Sequence, residues 1–176
     1  VERCNEILKK LSLNPNEEDD FIDEDLSMRD YLKEIILSFK ETSKKDFILN
    51  LDQDFNSKRI TKSIEIVYGL RNFIGNANKF CKNKVFISLK SNSEFTIVVI
   101  EDDGDGYPGD ILSKIGEPYL SSTKNLNKEK KGLGLGLFIG KTLLEKNFAS
   151  VNCSNSETRS GAEVVIKWNN KDLFNL

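Results

Sequence analysis

Two asparagines four residues apart, Asn72 and Asn76, share the run GLRNFIGNANKF with Lys79 and Phe80. At spacings of i, i+4, i+7 and i+8 the four side chains form one stripe of a helix. Amides there can cap the helix or close a buried polar network, and they can also offer oxygen to a ligand. Thirty residues on, the apolar run FTIVVI ends in EDDGDGYPGD, which leaves the carboxylate of Asp102 at a strand end, where ligands commonly sit in α/β sheets. Gly104 and Gly106 let the backbone behind it turn tightly and approach another group closely. An acidic turn or a calcium loop would also fit that pattern. Farther along, Gly132, Gly134 and Gly136 in KGLGLGLFIG open a helix, whose free N–H groups and positive dipole end suit a phosphate chain. This is not the GxxxxGK[ST] of a P-loop, and it follows a long loop where a dinucleotide fold would place a strand.

The elements that must position these groups follow from periodicity. Ser27 with Asp30 reads as a capping box for a helix whose apolar face is Met28, Tyr31, Leu32, Ile35, Ile36 and Phe39. Phe47, Leu49 and Leu51 alternate as a strand, and helical period from Ile60 to Cys81 contains the asparagine stripe. Val85 to Lys90 and Phe95 to Glu101 read as a hairpin across SNSE. Residues 102 to 131 have no period and read as a long functional loop. A helix follows from the glycines, and strands around 149–154 and 162–168 close the fold. Helices interleaved with hairpins predict an α/β two-layer sandwich, a mixed and mostly antiparallel sheet with helices on one face. Gly75 and Gly140 fall inside helices, at a cost of about 0.5–1 kcal/mol each against alanine, which points to close packing or reduced stability.

Composition narrows the functional classes. Twenty-six Lys and Arg against 28 Asp and Glu give a net charge of -2, without the positive excess that dominates nucleic-acid affinity, so no nucleic-acid partner is expected. The three cysteines, Cys4, Cys81 and Cys153, are widely spaced and read as reduced thiols in a cytoplasmic setting. No apolar run approaches the roughly 20 residues needed to span a bilayer. The chain contains no histidine, which removes imidazole as base, nucleophile or ligand. At the start, Val1, Cys4, Leu8 and Leu11 make a helical seam, and the acidic run EEDDFIDED reads as a linker, with Phe21 and Ile22 as a short edge strand.

In this order and spacing, GLRNFIGNANKF, EDDGDGYP and GLGLGLFIGKTLLE resemble the N box and the two glycine boxes of the ATP-binding catalytic domain of sensor histidine kinases. That is a branch of the superfamily holding gyrase, the MutL repair proteins and the heat-shock chaperone ATPases. GEPYLSSTK and the glycine helix look closest to the redox-responsive RegB/PrrB type. The resemblance covers about residues 26 to 168. It implies ATP and Mg²⁺ as cofactors, with Asn76 as the magnesium ligand, Lys79 facing the phosphates and Phe80 against the adenine. Asp102 would accept the adenine amino hydrogen, and Gly104 and Gly106 would line the base pocket. Gly132, Leu133, Gly134, Leu135 and Gly136 would cradle the phosphates, and Tyr119 would anchor a lid over about 107–131. Asn72 stands where ATP-hydrolysing relatives usually carry a glutamate base; a neutral amide is a poor base, which fits transfer to a nucleophile already competent, such as an imidazole. Asp105, at a place often held by proline or asparagine, would add negative charge near the adenine.

The implied layout is 1–13 as the end of a dimerisation helix, 14–25 as an acidic linker and 26–176 as the catalytic domain. The partners implied are the kinase's own dimerisation and phospho-acceptor domain, expected before residue 1, and a response regulator, with the full-length protein a homodimer. The domain is expected in the cytoplasm, and the resemblance leaves open whether the full-length protein is anchored to the inner membrane. Two other functions remain open: an ATP-hydrolysing relative and a non-catalytic nucleotide-binding module.

Overall fold

A computed structural model describes residues 26–52, 59–60, 63–112, 114–115, 117 and 135–174. The expected dimerisation helix over 1–13, the linker over 14–25 with its edge strand at Phe21 and Ile22, and most of the lid lie outside these residues.

Ser27 opens the first helix, α1 (Met28–Lys40), by a reciprocal cap: its hydroxyl accepts the Asp30 N–H at 3.3 Å while the Asp30 carboxylate accepts the Ser27 N–H. The periodic face is buried as read, with Met28, Tyr31, Leu32, Ile35 and Ile36 in the core. Just before it, β1 (Leu26–Ser27) pairs antiparallel with β3 (Arg59–Ile60), an element the periodicity did not predict. Ile60 therefore belongs to a strand rather than to the following helix. That helix, α2, runs Ile64–Phe80, and Ser63 caps it by accepting the Ile66 N–H at 3.3 Å.

Five strands form the main sheet: β2 (Asp46–Leu51), β4 (Lys84–Ser91), β5 (Phe95–Asp102), β6 (Ala149–Asn155) and β7 (Ala162–Asn169), in the spatial order β2-β4-β5-β7-β6. Only the β2–β4 pair is parallel, so the sheet is mixed and mostly antiparallel as expected. Inward positions alternate strictly along β5: Thr96, Val98, Ile100 and Asp102 are buried. Asp102 thus occupies the last core-facing place of an apolar strand, and a carboxylate in a hydrophobic period is a site signal in its own right.

Two short helices were not foreseen, α3 (Gly109–Leu112) inside the long loop and α5 (Asn170–Leu173) at the end. Between them, α4 (Gly136–Lys146) packs against α2 through glycine. A methyl group on Gly69 would stand 2.5 Å from Leu144 Cγ, and one on Gly140 would stand 2.9 Å from the Phe73 ring. The pairings 69 with 144 and 73 with 140 make the two helices antiparallel, and the Ser63 hydroxyl donates to Asn147 Oδ1 at 2.9 Å at the far end. The N-terminus of α4 therefore lies beside the second half of α2. Gly75 likewise admits Phe39 of α1, 3.1 Å from where its Cβ would be. Close approach explains Gly75 and Gly140, and Gly69 with them. Among the described residues, no helix is long and apolar enough to cross a membrane.

Candidate functional site

The asparagine stripe lies on the half of α2 that meets two other segments. At one end Asn72 packs on the first turn of α4: its Oδ1 is 3.7 Å from where a Gly136 Cβ would be, and its Cβ is 3.2 Å from the corresponding point at Gly140. Its amide Nδ2 donates to the Tyr68 carbonyl at 2.8 Å. At the other end, about 12 Å away at 1.5 Å per residue, Phe80 meets the turn after β5. A methyl group on Gly104 would stand 2.5 Å from the Phe80 carbonyl oxygen and 2.7 Å from Asp102 Oδ1. Only glycine fits between them. Asn76 lies between these two contacts on the same helix, half-buried, and the exposed Lys79 ammonium sits 5.3 Å from the centre of the Phe80 ring. The structure thus sets Asn72 against Gly136, which Leu135 precedes, at one end of the stripe, and Phe80 against Gly104 and Asp102 at the other, with Asn76 and Lys79 between them on the same helix. Tyr119, Gly132, Leu133 and Gly134 lie outside the described residues.

Asp102 is only 3% exposed. Its Oδ1 accepts two backbone N–H groups, from Gly104 at 2.8 Å and Ala162 at 3.3 Å, and among the described residues no hydrogen bond goes to Oδ2. Burial raises its carboxyl above the ordinary range; the two N–H bonds pull the other way, and the neighbouring Asp103 and Asp105 charges add to the rise. Such a group is an acceptor held at some cost, ready for a donor.

Gly106 is in the left-handed region at φ 75°, and a side chain there would strike Asn155, 2.7 Å from Oδ1. Asn155 in turn grips the next residue at both ends, accepting the Tyr107 N–H at 2.6 Å and donating to its carbonyl at 3.1 Å. The Tyr107 ring is buried, its hydroxyl directed at the Cys153 thiol, and burial pushes that thiol up to about 11, the largest of the effects on it. Cys81 is buried, whereas Cys153 is half-buried. Asp105 corrects the reading from sequence. Its carboxylate is 90% exposed and paired with Lys82 at 2.8 Å, so it lies at the surface rather than in the pocket, although its charge still reaches Asp102 and helps to raise that carboxyl.

Three positions were missed. Gly161 is the tightest: a methyl group there would fall 1.9 Å from the Asp102 carbonyl oxygen and 2.4 Å from Asp102 Oδ1. In sequence it reads only as a turn glycine in SETRSG. Asp103 and Asn155 are the others, and neither carries a local signal, because their partners come from distant segments.

Comparison with known proteins agrees with this geometry. A family model described as histidine kinase-, DNA gyrase B- and HSP90-like ATPase matches residues 61–172. The sensor histidine kinase RegB of Cereibacter sphaeroides is 34% identical over 124 residues, covering 62% of this chain and 27% of the relative. The sensor protein kinase PilS of Pseudomonas aeruginosa is 35% identical over 82 residues, covering 46% and 14%. The chain therefore spans about a quarter or less of these relatives' lengths. Among solved structures, the mycobacterial sensor histidine kinase MprB superposes with a TM-score of 0.68 at 18% identity, covering 82% of this chain and 96% of that one. A nucleotide-free catalytic domain of histidine kinase ThkA gives 0.67 at 21%, covering 82% and 95%. These likenesses establish the fold, and the family model spans the N-box helix, the Asp102 turn and α4 together. The chain belongs to the histidine kinase-, DNA gyrase B- and HSP90-like ATPase family.

Proposed function

We propose that this chain is the ATP-binding catalytic domain of a sensor histidine kinase, delivering the γ-phosphoryl group of ATP to a histidine on a separate phospho-acceptor domain. The observation that carries the reading is the buried Asp102 at the last inward place of β5, held through Gly104 against the end of the helix that bears Asn72, Asn76 and Lys79. Asp102 Oδ2 accepts the exocyclic amino hydrogen of adenine. Guanine presents an acceptor oxygen at that position and is repelled. Phe80 lies against the base, Lys79 meets the phosphates, and the N-terminus of α4 at Leu135 and Gly136 offers N–H groups and its positive dipole end to the same chain. Gly132, Leu133 and Gly134 complete that cradle and Tyr119 anchors the lid.

Asn76 supplies an amide oxygen, a hard ligand suited to Mg²⁺. Asn76 would hold the ion, and Mg²⁺ there would supply positive charge to the triphosphate. Asn72, with its Nδ2 committed to the Tyr68 carbonyl, has no proton-accepting group of useful basicity, so the site does not activate water. It positions and neutralises, and leaves the nucleophile to the acceptor. The acceptor lies elsewhere because this chain has no histidine. The same reading gives the domain a cytoplasmic setting, a homodimeric full-length kinase and a response regulator downstream.

The test is phosphoryl transfer in trans. The chain, γ-labelled Mg-ATP and a helical-hairpin phospho-acceptor domain should yield label on the hairpin that acid removes and base does not, with little free phosphate. Steady release of inorganic phosphate without labelled hairpin would favour an ATP-hydrolysing relative instead.

A further inference from the structure

Asp102 and Asp103 are consecutive, the last residue of β5 and the first after it, and their carboxylates go to different partners. Asp102 enters the site. Asp103 turns to the four residues that follow α2, where its Oδ1 accepts the backbone N–H groups of Lys82 at 2.8 Å, Asn83 at 2.9 Å and Lys84 at 3.1 Å, and its Oδ2 accepts Asn83 again at 3.1 Å. Its own N–H donates to the Lys84 carbonyl at 3.3 Å. Successive N–H groups converging on one point form an anion-binding concavity, here filled by a side chain, with bonds stronger than neutral ones. Burial alone would raise the Asp103 carboxyl, yet the three N–H bonds hold it below its ordinary value. An ion pair across the same turn, Lys82 with Asp105, lies at the surface and is worth little.

The donors follow directly on Phe80 and Cys81, so this carboxylate fastens the end of the N-box helix to the end of β5. Gly104 makes the same joint at Phe80 by steric fit. Asp103 sets the joint by hydrogen bonds, from outside the pocket.

We propose that Asp103 is a positioning residue that fixes the separation between the Asp102 carboxylate and the Phe80 ring, and through it the preference of the site for adenine over guanine. This deepens the ATP-site reading above and rests on it. A clamp that only stabilised the fold would lower the melting temperature and leave the nucleotide preference of the folded protein untouched. A positioning clamp changes the preference, because a carboxylate displaced from the amino group loses its favourable partner for adenine and its repulsion of guanine together.

The experiment uses the 176-residue chain and calorimetric titration with ATP and with GTP, well below the melting temperature. Asp103→Ala should weaken ATP by about tenfold and GTP by far less, narrowing the preference by nearly the same factor. Asp103→Asn keeps an oxygen in the place of Oδ1 and should recover most of it, remaining about two- to fivefold below the parent. Parent preference in a folded Asp103→Ala variant overturns the assignment. Should that variant fail to fold, Asp103→Asn decides: a preference equal to the parent's overturns it. Asp102→Asn, run alongside, separates the two claims. Lost ATP binding there with full preference in both Asp103 variants removes Asp103 alone, whereas a parent chain that binds no ATP removes the site reading and this inference with it.

Discussion

Replacing Gly161 with alanine adds one methyl group at the most crowded point of the site. That methyl group would lie 1.9 Å from the Asp102 carbonyl oxygen, 2.4 Å from its Oδ1 and 2.5 Å from its carbonyl carbon. Ordinary contact begins near 3.4 Å, so roughly 1.5 Å of separation has to be found between backbone segments that cannot rotate away. Asp102 ends β5 and Gly161 directly precedes β7, two strands paired through Glu101 and Glu163, and the Ala162 N–H bonds Asp102 Oδ1 at 3.3 Å. Overpacking of this kind costs about 1–3 kcal/mol, which at about 2–4 °C per kcal/mol for a chain of this size gives a clear fall in melting temperature. The displaced Asp102 should lose its hydrogen bond to adenine, weakening ATP by roughly 10- to 100-fold, as expected for about 1–3 kcal/mol. Thermal melting by circular dichroism and calorimetric ATP titration read the two effects separately. Gly109→Ala is the control, since nothing lies within 4 Å of its added methyl group, and it should keep the parent's ATP affinity with no fall in melting temperature. Parent ATP affinity in Gly161→Ala would refute the claim that Asp102 is held in place by this contact and reads the base.

Asp102→Asn should abolish most ATP binding without loss of stability at pH 7. Burial raises the Asp102 carboxyl in the native state, so its ionised form costs stability at neutral pH and the cost fades as pH falls through the raised value; a melting temperature well below the parent's would contradict this. Asp103 has the opposite sign. Its native value is lowered, so its contribution is present above its unfolded value of 3.8 and is lost as pH falls below that. Melting temperatures between about pH 5 and pH 2.5 should therefore fall less steeply in Asp103→Asn than in the parent. Asn76→Ala should bind ATP equally with and without Mg²⁺, and a retained magnesium enhancement would exclude Asn76 as its ligand. Cys153, with a thiol pushed up to about 11, should react slowly with iodoacetamide at pH 8, as should the buried Cys81; mass spectrometry of the folded protein showing rapid labelling at either would contradict the packing around Tyr107 or α2.

The elements legible in the sequence are those whose signals are local. The Ser27 and Asp30 cap, the alternation of β4, β5 and β7, and the glycine-opened α4 depend on neighbours within a few residues, and each formed where its pattern placed it. The start of α2 was misread because Ile60 and Ile64 stand four apart and continue the helical period backwards, yet Ile60 is buried in a two-residue ladder with Leu26 and Ile64 is exposed. Two residues are too few to show a strand period. Asp102 could be found because a carboxylate ending a run of inward apolar positions is costly and so needs a reason. Asp103, one residue on, looks the same in sequence as the surface residue Asp105; only the turn after α2, some 20 positions earlier, separates a three-bonded clamp from a surface ion pair. Gly161 carries no mark until the fold brings it against Asp102.

The measurement that bears most directly on the central claim is calorimetric titration of the folded 176-residue chain with Mg-ATP, repeated with Mg-GTP. A nucleotide site read by Asp102 predicts one ATP bound per chain and GTP weaker by about tenfold or more, the loss expected when an acceptor oxygen replaces the donor facing a buried carboxylate. Equal heats for the two nucleotides, or none for ATP, would contradict it.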